Sequence, residues 1–386
     1  MISRRHFLKQ CTGCAVFWAS MQLGNPFEGL PPAMAQSMEK GLIKRKLSPY
    51  FTSLPGGRVR CDLCPRSCEV GDGARGHCRV RENRGGQYYS LVYGNPCAVH
   101  VDPIEKKPFF HVLPGSTSFS IATAGCNLNC KFCQNWEISQ AQPDDTFNYD
   151  MPPERVVELA RMSQCQSIAS TYVEPTIFLE YMIEIGRLCR QEDLLKVMHS
   201  NGYIQEAPLK DLCKTLDAAC IDLKGFTDHY YRELTGGTLE PVLATLKMLK
   251  EAKVHTEIVN LVIPGKNDSP EQIRTMCRWI RNELGPDVPL HFSRFYPLYQ
   301  LKSLPPTPVA TLEQAREIGR EEGLHFVYIG NIPGHSAENT PCPQCKTLVI
   351  ERVGYRIQAT RLKNGKCENC GFHIPGIWSL PEAKKI

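Results

Sequence analysis

From residue 118 onward, short apolar runs alternate with amphipathic stretches, and this alternation limits the fold more than any other feature of the chain. The runs Phe119 to Ala124, Ser167 to Val173, Lys196 to Ser200, Ala218 to Leu223, Thr256 to Ile263, Leu290 to Phe295 and His325 to Ile329 predict strands. Pro153 to Ser163, Ile177 to Arg190 and Pro270 to Leu284 predict helices between them. Ser269-Pro270-Glu271-Gln272 reads as a helix start, with an N-cap serine, proline at the first helical position and glutamine three residues after the serine. Strands that alternate with helices pair in parallel through right-handed crossovers. The expected class is therefore α/β, a partial (β/α)6-type barrel.

In such a fold the loops after the strands converge on one mouth, and chemistry gathers there. Polar residues sit at those positions: Cys126, Glu174, Asn201, Asp222 with Lys224, Asn260, Arg294 and Asn331. Asp222 and Lys224 point to one face by the period of two. A structural ion pair would use the same residues in the same way.

A chain of 386 residues with 42% apolar and 22% charged residues can bury a large core. The formal charge of +5 counts each cysteine as neutral, and thiolates bound to metal would erase it, so charge makes no case for nucleic acid. The 19 cysteines fall in tight clusters, which favours reduced, metal-bound thiolates over a disulfide scaffold. Ser3-Arg-Arg-His-Phe-Leu-Lys9, the apolar stretch Cys14 to Leu23 and Ala33-Met-Ala35 together read as a twin-arginine export leader. Beyond it no segment has the roughly 18 uninterrupted apolar residues of a transmembrane helix. The expected organisation is a leader over 1–35, a linker over 36–60, a Cys-rich module over 61–117, the barrel over 118–333 and a second Cys-rich module over 334–386.

Cys126-Asn-Leu-Asn-Cys130-Lys-Phe-Cys133 follows the first predicted strand directly, after Gly125. Three thiolates within eight residues can wrap one face of an iron–sulfur cubane, leaving a fourth iron open. An open coordination position is the mark of a catalytic metal site.

This Cys-x3-Cys-x2-Cys spacing, with an aromatic before the third cysteine, resembles the radical S-adenosylmethionine (SAM) superfamily. The resemblance implies a [4Fe-4S] cluster on Cys126, Cys130 and Cys133 that binds SAM and cleaves it to a 5′-deoxyadenosyl radical. Thr171-Tyr-Val-Glu174-Pro175 occupies the place of the family's Gly-Gly-Glu-Pro turn, of which the Glu-Pro half is kept. His199-Ser-Asn201-Gly202 and Ile221-Asp222-Leu-Lys224 resemble the third and fourth strand ends of pyruvate formate-lyase activating enzymes, and Ile329-Gly-Asn331-Ile332 resembles the family's last-strand segment that flanks the adenine. They imply SAM contacts from Phe132, Glu174, Asn201, Asn331 and Ile332, with Asp222 and Lys224 as catalytic residues. A helix N-terminal carboxylate is the plainer role for Glu174, and packing the plainer role for Phe132 and Trp136. Asp102-Pro-Ile-Glu-Lys-Lys-Pro108, Gln134-Asn-Trp136-Glu-Ile-Ser-Gln140 and Ile374-Pro-Gly-Ile-Trp378 are similar to the radical SAM component of the AmmeMemoRadiSam system.

Cys342-x2-Cys345 and Cys367-x2-Cys370 form two knuckles about twenty residues apart, the pattern of a zinc ribbon or a rubredoxin-like iron. Cys61-x2-Cys64-x3-Cys68-x9-Cys78 suits zinc or an auxiliary cluster equally. Cys97, Cys165, Cys189, Cys213, Cys220 and Cys277 stand singly, as small apolar residues do.

The implied activity is hydrogen abstraction from a protein, peptide or small molecule, with a reductant such as flavodoxin or ferredoxin. SAM chemistry favours the cytoplasm, whereas the leader suggests export. The competing reading is a non-catalytic iron–sulfur electron-transfer or zinc-ribbon interaction protein.

Overall fold

Strands such as Ser-Ile-Ala-Ser and Ala-Ala-Cys-Ile-Asp carry almost no charge, and burial on both faces follows from covering a sheet with helices on one side and its own interior on the other. The computed structural model describes residues 38–380, and the leader reading of residues 1–35 falls outside them. In chain order the core is β1 (Ala98–Pro103), β2 (Thr117–Ala122), α1 (Pro153–Met162), β3 (Ser167–Ser170), α2 (Leu179–Cys189), β4 (Leu195–Ser200) and α3 (Glu206–Cys213). It continues with β5 (Ala218–Asp222), α4 (Glu240–Glu251), β6 (His255–Val262), α5 (Pro270–Trp279), β7 (Leu290–Arg294), α6 (Val309–Glu321) and β8 (Val327–Gly330).

These strands form one eight-stranded sheet in simple sequence order, with β1 and β8 at its edges. Strands β2 to β8 are parallel neighbours, and β1 lies antiparallel to β2. One helix of eight or more residues crosses between each parallel pair, six in all, as the (β/α)6 expectation requires. All seven predicted strands form. The eighth, β1, is Ala-Val-His-Val-Asp-Pro, a half-buried edge too polar to stand out in the sequence.

The helix predictions need local correction. Ile177 to Arg190 splits into a 3-10 turn over Pro175–Phe178 and then α2. The stretch expected to run from Pro270 to Leu284 passes into a π turn over Ile280–Leu284 and stops at Gly285, whose φ of 106° is open to glycine alone. Ser269 occupies the N-cap but makes no side-chain capping bond. Pro270 sets the start instead, through its fixed φ and missing N–H.

The segment read as a linker is paired into the structure. Met38–Lys40 pairs with Phe147–Tyr149, Lys46–Leu47 with Gln87–Ser90, and Phe51–Ser53 with Val59–Cys61. Arg81, fully buried, ties this N-terminal layer to α2. Its Nη1 and Nη2 donate to the Glu180 carboxylate at 2.8 and 2.6 Å, Nη1 also to Ser48 Oγ at 3.0 Å, and Nε to the Ile177 carbonyl at 3.2 Å.

At the opposite end of the sheet from the strand C-termini, Glu257 at the start of β6 binds the loop that enters β2. Its carboxylate accepts from the Phe110 and His111 backbone amides and lies 2.7 Å from His291 Nε2. Arg352 of the C-terminal module donates to the Phe110 carbonyl at 2.7 Å, so this end of the core is closed by the module. Among the described residues no helix is long and apolar enough to cross a membrane.

Breaking one partner of a buried, bidentate ion pair leaves a desolvated charge and costs about 3–5 kcal/mol, whereas replacing both with apolar groups is close to neutral. Arg81→Ala is therefore expected to lower the denaturation midpoint sharply, and Arg81→Met with Glu180→Leu to regain most of the loss. Equal midpoints for Arg81→Ala and the parent would contradict this role.

Candidate active site and metal centres

Because β2 to β8 run in parallel, the residues after each strand meet at one end. Cys126 follows β2, Glu174 follows β3, Asn201 follows β4, Asp222 ends β5 with Lys224 beyond it, Arg294 ends β7 and Asn331 follows β8. Asn260 lies within β6, with its Nδ2 on the Leu223 carbonyl at 2.6 Å.

The cysteine loop is held from three sides. The Asn129 and Lys131 amides donate to the Thr235 and Leu234 carbonyls at 2.8 and 2.9 Å. Those carbonyls belong to a π turn over Tyr231–Thr235, a geometry that recurs at functional sites. Asn127 Nδ2 donates to the Tyr203 carbonyl at 2.7 Å, and the Gln300 amide to the Lys131 carbonyl at 2.9 Å. Polar donors approach the sulfurs as well: the Leu128 amide donates to Cys126 Sγ at 3.4 Å, and Ser139 Oγ lies 3.3 Å from Cys133 Sγ. Burial pushes the Cys126 thiol well up, with Glu174 and Cys130 adding to it, and pushes Cys130 up to about 12 against the pull of Lys224. Thiols this buried become ligands when the bound group brings its own positive charge. The loop thus presents three sulfurs, held by backbone and approached by donors, as a cluster requires.

Beside it Asp222 accepts from Lys224 Nζ at 2.8 Å and lies 2.9 Å from His199 Nε2. Burial works against charge on Asp222, yet Lys224 and then His199 outweigh it and hold the carboxyl below the usual range. Burial also opposes the Lys224 ammonium, while Asp222 and Cys130 hold it protonated. Lys224 Nζ lies 5.8 Å from the centre of the buried Phe132 ring, which links that residue to the group.

Glu174 has a different set of partners. Its carboxylate accepts from the Thr176 amide at 2.9 Å, Thr176 Oγ1 at 2.6 Å, Ser200 Oγ at 2.8 Å and the Asn201 amide at 2.7 Å. It caps the turn that opens α2 and ties β3 to β4, and these bonds take up most of its acceptor capacity. Asn201 Nδ2 in turn donates to Asn127 Oδ1 at 2.9 Å, so Asn201 braces the cysteine loop.

Asn331 and Ile332 lie at the edge of the site. Asn331, with φ of 60°, makes the turn that ends β8 and donates to the Arg294 carbonyl at 3.1 Å; Ile332 packs on the core. Neither is hydrogen-bonded to the Asp222 group. Trp136, expected as packing, is 38% exposed and stacks on Tyr299 at 5.1 Å.

Two buried or partly buried polar contacts escape the sequence reading. His199 reaches Asp222 because Val197 pairs with Ala218 and His199 therefore with Cys220, a register that strand order alone does not supply. Lys107, buried inside the sheet, bonds Asp102 and lies 3.0 Å from Tyr172 Oη; burial draws it down to about 8, with Asp102 holding against it. Lys107 lies in the Asp102-Pro-Ile-Glu-Lys-Lys-Pro108 segment.

At the C-terminal end, Cys342, Cys345, Cys367 and Cys370 offer sulfurs that all lie within 4.8 Å of one another. Cys342 and Cys370 are 3.6 Å apart, and Cys345 and Cys367 are 3.7 Å apart. Four sulfurs at about 2.3 Å from one tetrahedral ion would stand about 3.8 Å apart. The group therefore has the dimensions of a single-ion site.

Residues 120–280 match the radical SAM superfamily. Uncharacterized protein MJ0808 of Methanocaldococcus jannaschii is 44% identical over 327 residues, covering 84% of this chain and 97% of that protein. The pyruvate formate-lyase-activating enzyme of Clostridium pasteurianum is 22% identical over 160 residues, 41% of this chain and 67% of its own. Among solved structures, a domain of the pyruvate-formate lyase-activating enzyme from Bacteroides vulgatus aligns with a TM-score of 0.38 at 17% identity, over 42% of this chain and 98% of that one. The chain belongs to the radical SAM superfamily. It is an enzyme of that family with relatives named as activating enzymes, and membership implies a [4Fe-4S] cluster and SAM.

Removing one of four ligands from a single-ion site that organises a small module costs the ion and the fold of that module. Cys345→Ser is expected to bind one metal ion fewer per chain than the parent and to expose residues 334–380 to protease. An unchanged metal content with unchanged proteolysis would remove the assignment.

Proposed function

We propose that this enzyme binds a [4Fe-4S] cluster through Cys126, Cys130 and Cys133, and uses it to cleave SAM and abstract hydrogen from a protein, peptide or small-molecule substrate. When bound, such a cluster supplies the single electron that breaks the sulfonium bond to give a 5′-deoxyadenosyl radical. The observation that carries the reading is the Lys224–Asp222–His199 group standing beside the cysteine loop at the end of the sheet where the parallel strands finish.

The chain's own residues have separate tasks. Asp222 fixes the Lys224 ammonium, and His199 holds the other carboxylate oxygen, so one positive charge is kept beside Cys130. A fixed, partly buried cation favours anionic groups, which suits both thiolate ligands and the SAM carboxylate. Phe132 stands beside the ammonium, its ring centre 5.8 Å from Nζ. Glu174 and Asn201 act mainly by positioning the loop, and Asn331 and Ile332 form the far wall against which a nucleoside would rest.

A protein substrate is the favoured class, since several relatives are named as activating enzymes of other proteins. A low-potential donor such as flavodoxin or ferredoxin would deliver the electron. The motifs similar to the AmmeMemoRadiSam component support a reading within that branch. The C-terminal quartet is read as a structural zinc site.

Anaerobic reconstitution with iron and sulfide, reduction with dithionite and addition of SAM should release 5′-deoxyadenosine. Cys130→Ala should abolish release, and Asp222→Asn should slow it by about 10–100-fold, the usual cost of removing an outer partner at a metal site. A four-iron cluster that forms and is reduced while SAM stays intact would leave the electron-transfer reading in its place.

A further inference from the structure

The N-terminal cysteines stand in contrast to the C-terminal ones within the same molecule. Among the described residues, the C-terminal four are the group of three or more metal-type ligands whose atoms all lie within 4.8 Å of one another; no three of Cys61, Cys64, Cys68 and Cys78 are gathered so closely. Yet all four N-terminal cysteines line one pocket, shared with Tyr88 and Asn127. Four thiols that surround a space without converging on a point do not suit a tetrahedral ion, which draws its sulfurs to about 3.8 Å. A two-iron cluster pairs its cysteines two to an iron at that same spacing. The thiol-to-thiol hydrogen bonds found among the described residues both belong to the C-terminal quartet. A cubane places each cysteine on a different iron at a different corner, so its four sulfurs stand wide around a filled volume.

We propose that Cys61, Cys64, Cys68 and Cys78 hold a second four-iron cluster, packed against the back of the loop that carries Cys126. The lining is built for anionic sulfur. The Leu63, Arg66 and Val80 amides donate towards Cys61, Cys64 and Cys78, each from two residues further on, and the Tyr88 hydroxyl donates to Cys61. Gly76 leaves the space, since a Cβ there would meet the Tyr88 hydroxyl at 2.8 Å and stand 3.9 Å from Cys68 Sγ. Arg66 sits in the pocket wall and donates to the Asn127 and Gly236 carbonyls, bringing a positive charge to the site.

The second cluster and the proposed catalytic one are neighbours across very little protein. Asn127 lines the N-terminal pocket and adjoins Cys126 in sequence. On the other side of Cys126, Gly125 has φ of 92° and runs so near Cys78 that a Cβ would lie 2.5 Å from the Cys78 carbonyl oxygen. The Cys126 loop therefore backs directly onto the N-terminal site, an arrangement suited to electron exchange between two clusters.

The test uses the full chain with Cys126, Cys130 and Cys133 all changed to alanine, reconstituted anaerobically and examined by iron and sulfide analysis with Mössbauer spectroscopy. This variant cannot hold the catalytic cluster, so its result is independent of whether SAM is cleaved. Four irons and four sulfides per chain with a cubane spectrum are expected. Two irons, or metal present only as single ions, would overturn the proposal. Should the triple variant fail to fold, the parent chain decides: eight cubane irons support the second cluster and four overturn it.

Discussion

Parallel pairing is the constraint on which the rest of this molecule depends. Each of the strands β2 to β8 ends on the same side of the sheet, because each is returned to its start by a helix. Residues separated by tens of positions, such as Asn127 and Asn201 or His199 and Asp222, become hydrogen-bond partners for that reason. At the opposite end, where strands begin, buried bonds around Glu257 and Arg352 tie the loop before β2 and the C-terminal module to the sheet. One end of the sheet is thus structural and the other chemical.

Buried sulfur gives the molecule its second theme. A thiol in an apolar setting stays protonated, and Cys61, Cys64, Cys126 and Cys130 are all pushed above the ordinary thiol range by burial. Such residues either remain small apolar groups, as fully buried Cys189, Cys220 and Cys277 do, or receive a cation that pays for their ionisation. What separates the two fates is the surrounding polar contact. Cys126 and Cys133 have donors at their sulfurs, and Cys130 has a lysine nearby. Cys189 and Cys277 belong to helices and pack into the main apolar core.

Much of this was legible in the sequence, and the reasons for the gaps are physical. The seven parallel strands read clearly because burial on both faces gives each a short, mostly apolar run. Strand β1 was missed since an antiparallel edge needs only half its residues buried, and His100 and Asp102 interrupt the pattern. The pairs within residues 38–61 are two or three residues long, shorter than any periodicity can register. At the site, spacing singled out Cys126, Cys130 and Cys133 because they share one local loop. It could not identify His199, whose role depends on the register between β4 and β5. Nor could it show that Glu174 spends its carboxylate on Thr176, Ser200 and Asn201.

The case of Glu174 shows how a motif residue can serve a site without touching what the site binds. Its bonds fix the ends of β3 and β4 against each other, and Asn201, placed by one of those bonds, reaches the residue after Cys126. A displacement of Glu174 would therefore be felt at the cysteine loop through two hydrogen bonds in series. The carboxylate is buried, and burial raises its affinity for a proton while the four donors oppose that. Protonation would turn one acceptor oxygen into a donor and would require the Thr176 and Ser200 hydroxyls to reorient. The acid in this turn is thus a condition for the shape of the cysteine loop.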